Sequence, residues 1–295
     1  MATLSRESSP LLAQVKRLLR QYGLKAKKGL GQHFLIDETI LQAILDAAEL
    51  SPKDIVVEVG PGLGILTEEL AKRAGKIVAV ELDDKLAALL KRRLSSRPNL
   101  EVVNADILKV NLSQLLGENA NYKVVANLPY YIASPIVHYF VEGSPKPSLM
   151  VVMVQKEVGD AIVAKGGKMS LLALSLQMYS KTKIVSYVSA QSFYPPPKVD
   201  SAILRFDLLP EPAVKVTDMD GFFNVVRSGF SSPRKQLRNS LAHGLGVAPT
   251  EIVGFLEKAG VEPQRRAETL SLEEWAKLYK IVSSCHSEPA RILKL

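Results

Sequence analysis

Cysteine is nearly absent: the 295 residues include one, Cys285. A single thiol excludes an intramolecular disulfide and any cysteine-rich metal site, and the adjacent His286 does not make a ligand cluster. No apolar run approaches the ~20 residues that a membrane-spanning helix needs. The N-terminal region also lacks an apolar signal core, because Lys16, Arg17 and Arg20 interrupt the leucines between 11 and 19. Cytoplasm is therefore the expected compartment. Acidic residues are missing from 8–36, the segment that carries Lys16, Arg17, Arg20, Lys25, Lys27 and Lys28. What remains is a balanced composition, 47% hydrophobic and 23% charged, as expected of a globular protein with one large or two ordinary cores. A net charge of +8 suggests a polyanionic partner.

Beyond residue 55 short apolar runs alternate with helical periods. Strands are predicted over 55–59, 76–80, 100–103, 124–126 and 149–154, with 185–188 and 202–206 completing the sheet. Helices are predicted over 11–22, over 37–50 from an Asp cap, after the glycine loop to about Ala74, over 83–95 and over 134–141. That alternation implies an α/β domain with a doubly wound, Rossmann-like, parallel-rich sheet. In such a sheet the ligand lies beyond the carboxyl ends of the strands, where Gly60, Glu81, Asp106 and Asn127 all fall. Leu209-Pro210-Glu211-Pro212 reads as a linker. Helical periods over 221–245, 249–259 and 272–282 predict a small all-helical C-terminal domain, dividing the chain into 1–208 and 209–295. Pro233 is expected in the first turn of a helix whose Leu237, Leu241 and Leu245 pack inward. Arg234, Lys235 and Arg238 would then face outward.

Gly60-Pro61-Gly62-Leu63-Gly64 follows the first predicted strand of this sheet. A dinucleotide-binding G-x-G-x-x-G loop would have its third glycine at position 65, where the chain has Ile65. Glu58-Val59-Gly60-Pro61-Gly62 resembles instead the first motif of S-adenosylmethionine-dependent methyltransferases. Its glycines let the backbone approach the amino-acid part of a ligand without a Cβ clash. Glu81 could accept hydrogen bonds from both ribose hydroxyls, and Asp106 from the adenine amine of the cofactor.

Asn127-Leu128-Pro129-Tyr130 ends the fourth strand and is similar to the catalytic tetrapeptide of methyltransferases acting on exocyclic base amines. The chemistry explains the residue types. The lone pair of adenine N6 is delocalised into the ring, so the amine is a poor nucleophile. The Asn127 side-chain carbonyl and the Leu128 backbone carbonyl could each accept one N–H, pulling the amine toward tetrahedral geometry. Pro129 would stiffen the loop, and Tyr130 would offer an aromatic face to an extruded base.

Five segments occur in order: Gly31-Gln32-His33-Phe34-Leu35, the run from Val57 to Gly64, Glu81-Leu82-Asp83, Asn127-Leu128-Pro129-Tyr130, and Phe193-Tyr194-Pro195-Pro196-Pro197-Lys198-Val199-Asp200-Ser201. The set closely resembles the ribosomal RNA adenine N6,N6-dimethyltransferases that act on small-subunit RNA. It covers about residues 20–205, and Arg234-Lys235-Gln236-Leu237-Arg238-Asn239 extends it into the helical region. The resemblance implies that His33 and the Leu35 backbone contact S-adenosylmethionine, with Gly60, Gly62, Glu81, Asp106 and Asn127 completing the site. Many members have Asn at the place of His33. Phe193 would stack the target adenine opposite Tyr130.

The implied reaction is in-line methyl transfer to adenine N6, twice per base, on two adjacent adenosines of immature small subunits during ribosome maturation. It needs neither a metal nor a strong base, because the methylated ammonium is acidic enough to lose its proton to water. For RNA capture the best candidates are Lys25, Lys27 and Lys28 in the acid-free segment, with Arg227, Arg234, Lys235 and Arg238 further on. The protein is expected to act as a monomer on its large RNA partner. Three other readings stay open. A large-subunit methyltransferase of the antibiotic-resistance type usually has Ile in the second position of the tetrapeptide and a shorter chain. A DNA adenine methyltransferase would more often show D-P-P-Y. A non-catalytic assembly factor would bind the cofactor without turnover.

Overall fold

The computed structural model describes residues 9–27, 29, 31–118 and 120–285. Nine strands are assigned among them: β1 (Phe34–Leu35), β2 (Ile55–Val59), β3 (Lys76–Glu81), β4 (Leu100–Asn104), β5 (Tyr122–Asn127), β6 (Leu149–Gln155), β7 (Ser180–Val188), β8 (Phe193–Tyr194) and β9 (Ser201–Leu208). The helices are α1 (Pro10–Gln21), α2 (Glu38–Ala48), α3 (Ile65–Ala71), α4 (Asp84–Arg93), α5 (Leu112–Leu116), α6 (Ala133–Glu142), α7 (Lys156–Ile162), α8 (Leu171–Tyr179), α9 (Met219–Phe230), α10 (Leu237–Leu245), α11 (Pro249–Lys258) and α12 (Leu272–Cys285).

Seven strands form one sheet in the order β4-β3-β2-β5-β6-β9-β7. The chain builds outward from β2 through β3 to β4, then returns to place β5 on the other side of β2. All neighbours from β4 to β6 pair in parallel, whereas β9 runs antiparallel to β6. The reversal between β2 and β5 is a topological switch point, and it opens a crevice outside the carboxyl ends of those strands. The strands hold that geometry because they are apolar on both faces: the side chains of Leu149–Val154 are all buried, as expected of a sheet covered on two sides. Local signals set the helix starts. Asp37 and Asp83 each accept two backbone N–H groups at the heads of α2 and α4, satisfying donors that a helix start leaves without partners.

The chain divides into two compact units. One comprises residues up to Asp160 together with Lys181–Leu208; the other comprises Ala161–Ser180 together with the described residues from Leu209 on. The expected single division at 208/209 is therefore corrected: residues 161–180 group with the helical unit. The physical reason is packing, since Met169, Ala173, Leu174 and Met178 join the apolar cluster around Phe222, Leu241, Leu256 and Trp275. A second correction concerns 221–245. This stretch is two helices, α9 and α10, separated by residues 231–236, and α10 begins at Leu237 with Gln236 as its cap. Pro233 lies in that separating turn, outside the first turn of the helix. Leu237, Leu241 and Leu245 are buried as expected.

The helical unit relies on close backbone approach. A Cβ on Gly244 would lie 2.6 Å from Cα of Ser228 and 2.9 Å from its carbonyl oxygen, with backbone rather than a flexible side chain in the way. Gly244→Ala is expected to lower unfolding stability by about 2–3 kcal/mol. Denaturant midpoints compare the two proteins, and an unchanged midpoint would contradict this packing.

Candidate active site

The switch point gathers the strand-end residues. β2 ends at Val59, and the chain turns at once through Gly60 (φ +65°) and Gly62 (φ +59°) into α3. Side chains rarely adopt those angles, and a Cβ on Gly62 would also press to 3.3 Å from the Phe34 ring, so glycine is required there. The N–H of Gly62 donates to Oε2 of Glu81 (3.0 Å), and the N–H of Asp83 donates to Oε1 (2.9 Å). The end of β3 is thereby tied to the glycine loop. Burial raises the Glu81 carboxyl above the ordinary carboxylate range. Asp106, just beyond β4, caps a short turn by accepting the N–H of Leu108 (3.1 Å).

On the other side of β2, β5 ends at Asn127, whose Nδ2 donates to the His33 carbonyl (3.2 Å). The N–H of Leu128 donates to the carbonyl of Met153 on β6 (3.1 Å). Pro129 lies against the glycine loop, its Cδ 3.6 Å from where a Gly60 Cβ would stand. The Tyr130 ring stacks on the His33 imidazole at 5.7 Å between centroids, 24° from parallel, and its hydroxyl shares a 2.5 Å hydrogen bond with Ser201 Oγ. Nδ1 of His33 donates to the Pro195 carbonyl (2.7 Å). A carbonyl can only accept, so this contact fixes the proton on Nδ1.

One cavity is lined by the whole Asn127–Tyr130 tetrapeptide and by His33, Leu35, Gly60, Gly62, Glu81 and Asp106. Phe193 does not line it. That ring is fully buried (0% exposed) in the core of the sheet unit, and its backbone pairs with Leu35 where β8 meets β1. The expectation of Phe193 as a second base platform opposite Tyr130 is corrected accordingly. Lys27, a candidate for RNA contact, pairs through Nζ with Asp83 (2.5 Å). Against the cost of its burial, Asp83 is held below the ordinary carboxylate range by that lysine and by the backbone N–H groups it caps. Lys25, Arg234 and Lys235 are exposed, Arg238 is half-buried, and Lys28 lies outside the described residues.

Tyr131, Leu82 and Glu58 also line the cavity, and the sequence reading gave none of them a role of its own. Tyr131 (55% exposed) and Leu82 (48%) are large apolar side chains at its rim. Glu58 is 1% exposed; the Thr67 hydroxyl lies beside its carboxyl, but Oε2 has no hydrogen bond of good geometry. Burial pushes its carboxyl up to about 8. The signal was present as an acid inside the apolar run Ile55–Val59, a placement that needs a partner.

With this geometry in place, the relatives are decisive. The family model described as "Ribosomal RNA adenine dimethylase" matches residues 23–284. The chain belongs to the ribosomal RNA adenine dimethylase family. Among curated members, it is 52% identical over 270 residues to "Ribosomal RNA small subunit methyltransferase A" of Dehalococcoides mccartyi, covering 91% of this chain and 92% of that one. It is 44% identical over 278 residues to the protein of the same name from Pelotomaculum thermopropionicum, covering 90% and 94%. Among solved structures, a dimethyladenosine transferase from Plasmodium falciparum superposes with a TM-score of 0.71 at 27% identity, covering 83% of this chain and 96% of the other. The 23S rRNA methyltransferase ErmE superposes at 0.69 with 30% identity, covering 85% and 99%.

The methyl donor of the family is S-adenosylmethionine, and the cavity fits it. A ligand carrying an ammonium and a sulfonium suits a pocket with two buried carboxyl groups, one of them without a hydrogen bond on Oε2.

Proposed function

We propose that this protein methylates adenine N6 in small-subunit ribosomal RNA, dimethylating adjacent adenosines on immature subunits, and that it does so as a monomer. The observation that supports the reading is that Asn127, Leu128, Pro129 and Tyr130 line the same cavity as the Gly60–Gly62 turn and Glu81. Glu81 would accept from the ribose hydroxyls and Asp106 from the cofactor adenine, while Gly60, Gly62, His33 and Leu35 shape the remaining contacts. Bound S-adenosylmethionine supplies a methyl group already activated on sulfur. The chain's task is then positioning and desolvation. Oδ1 of Asn127 and the Leu128 carbonyl accept from the target amine, Pro129 stiffens the loop, and the Tyr130 ring supports the base. The amine loses a proton to water after transfer. With Phe193 in the core, Tyr130 carries the stacking by itself.

Lys25, Arg234, Lys235 and Arg238 would bind phosphates. Neutralising Arg234 and Lys235 to glutamine is expected to weaken RNA binding and to reduce the slope of log affinity against log salt by about one per lost contact. An unchanged slope in filter-binding titrations would remove these side chains from the interface.

The test of the whole reading is transfer from labelled S-adenosylmethionine to immature small subunits, with large subunits and DNA as controls, followed by nucleoside analysis. N6,N6-dimethyladenosine from small subunits alone supports it. Label in large subunits would favour the resistance-type activity, and cofactor binding without label would favour a non-catalytic assembly role.

A further inference from the structure

The segment 193–201 ends in Ser201, which neither lines the cavity nor has a part in the chemistry described so far. We infer that Ser201 is a positioning residue for methyl transfer: its hydroxyl and the His33 ring together fix the plane of Tyr130, leaving one ring face for the target base. This rests on the reading of Tyr130 as the base support.

The topology explains how a residue so far along the chain reaches the site. β9 runs antiparallel to β6, so it begins where the parallel strands end. Ser201 opposes Gln155, and Asn127 opposes Met153 two residues earlier on the same β6. The first residue of β9 therefore stands at the same sheet edge as the tetrapeptide. Ser201 is fully buried, and its backbone is set by the β6–β9 ladder independently of Tyr130. Its predecessor adds to the anchorage, as the Asp200 carbonyl accepts from Lys156 N–H (2.9 Å) and its Oδ1 from Ala190 N–H (2.9 Å).

Tyr130, by contrast, opens a single short turn, Tyr130–Ile132, after Pro129. Such a segment does not by itself fix a ring on two rotatable bonds. The 2.5 Å bond to Ser201 holds the ring at its far end. The His33 imidazole, itself held by the Pro195 carbonyl at 2.7 Å, covers one face at 5.7 Å. Asn127 Nδ2 on the His33 carbonyl closes the circuit at 3.2 Å. Residues from 31–35, 127–130 and 193–201 thus constrain one aromatic plane, and a base can stack only on the face turned from His33. A ring free to swing would present the amine to Asn127 Oδ1 in the correct orientation only part of the time. The loss would fall on the transfer step rather than on cofactor binding.

The experiment is a double-mutant cycle on the full chain with Ser201→Ala, Tyr130→Phe and the double variant. It reads kcat for methyl transfer to small subunits, the dissociation constant for S-adenosylmethionine, and the unfolding midpoint. Each single change is expected to lower kcat about tenfold with cofactor affinity unchanged. The double variant should be no slower than the slower single, because both changes break the same bond. Additive losses would overturn the inference, as would a Tyr130→Phe protein with undiminished kcat, a result that needs no Ser201 variant to fold. An unaltered protein that transfers no methyl group would sink the reading of the site as well, which separates the two failures.

Discussion

Asn127→Ala is expected to lower methyl transfer by about 10²–10³-fold, the scale seen when one preorganised polar contact to a reacting group is removed. S-adenosylmethionine should still bind with nearly unchanged affinity. The scaffold predicts this separation. The backbone of Asn127 is fixed by the β5–β6 ladder, and the Leu128 N–H by the Met153 carbonyl, so the loop does not depend on the asparagine side chain for its path. The change deletes Oδ1, the proposed acceptor of the amine, and Nδ2, which donates to the His33 carbonyl. The other residues proposed to hold the cofactor, among them Gly60, Gly62, Glu81 and Asp106, line the same cavity and keep their side chains and backbone. Single-turnover transfer and calorimetric titration of the cofactor measure the two effects separately. Unchanged transfer would remove Asn127 from the chemistry, and a large loss of affinity would make it a cofactor residue first.

The second large effect is on stability and its pH dependence. Burial raises the Glu58 carboxyl from the ordinary 4.5 to about 8. For an acid raised on folding, the unfolded chain gives up its proton first, so stability is highest below ~4.5 and falls as pH rises toward ~8. The slope is about 1.4 kcal/mol per pH unit, which amounts to roughly 3 kcal/mol between pH 5 and pH 7. Glu81, also raised, acts in the same direction. Asp37, Asp54, Glu69 and Asp83 are lowered, so their contribution is lost only in more acidic solution, outside this window. Glu58→Gln is expected to flatten most of the decline, and melting curves from pH 5 to pH 8 check it. Saturating S-adenosylmethionine should flatten it too, because its cationic groups favour the ionised carboxylate. Parallel melting curves for the two proteins would mean that Glu58 is not a source of the pH dependence.

Much of this architecture is local and therefore legible in the sequence. The strand ends at Val59, Glu81 and Asn127 follow apolar runs short enough to be strands, and Asp37 and Asp83 mark the helix starts that they cap. The parts that were not legible depend on distant partners. Lys27 meets Asp83 across 56 residues of chain, and no pattern in the basic segment marks that pair. Phe193 stands beside three prolines, as a surface aromatic might, but its direction is set by the two-residue pairing of β8 with β1, too short for any periodicity. Residues 171–179 carry no helical signal of their own because Leu-Leu-Ala-Leu-Ser-Leu-Gln-Met-Tyr is apolar nearly all round, and a helix buried on most sides shows no amphipathic period. Ser201 was visible as the end of a motif, yet its role required knowing that β9 starts where the parallel strands stop.

The return of residues 161–180 to the helical unit bears on how the chain is made and cut. During synthesis this segment emerges before β7 and β9, which belong to the sheet, and long before α9 to α12, which complete its own cluster. The apolar faces of Met169, Ala173, Leu174 and Met178 are fully covered only when α9 to α12 have all followed, the last of them ending at Cys285. A nascent polypeptide halted there presents greasy surface to chaperones and proteases. Severing the chain after Leu208 would make that exposure permanent, so the methyl-transfer half cannot be liberated as a tidy fragment at the one place where the sequence advertises a linker.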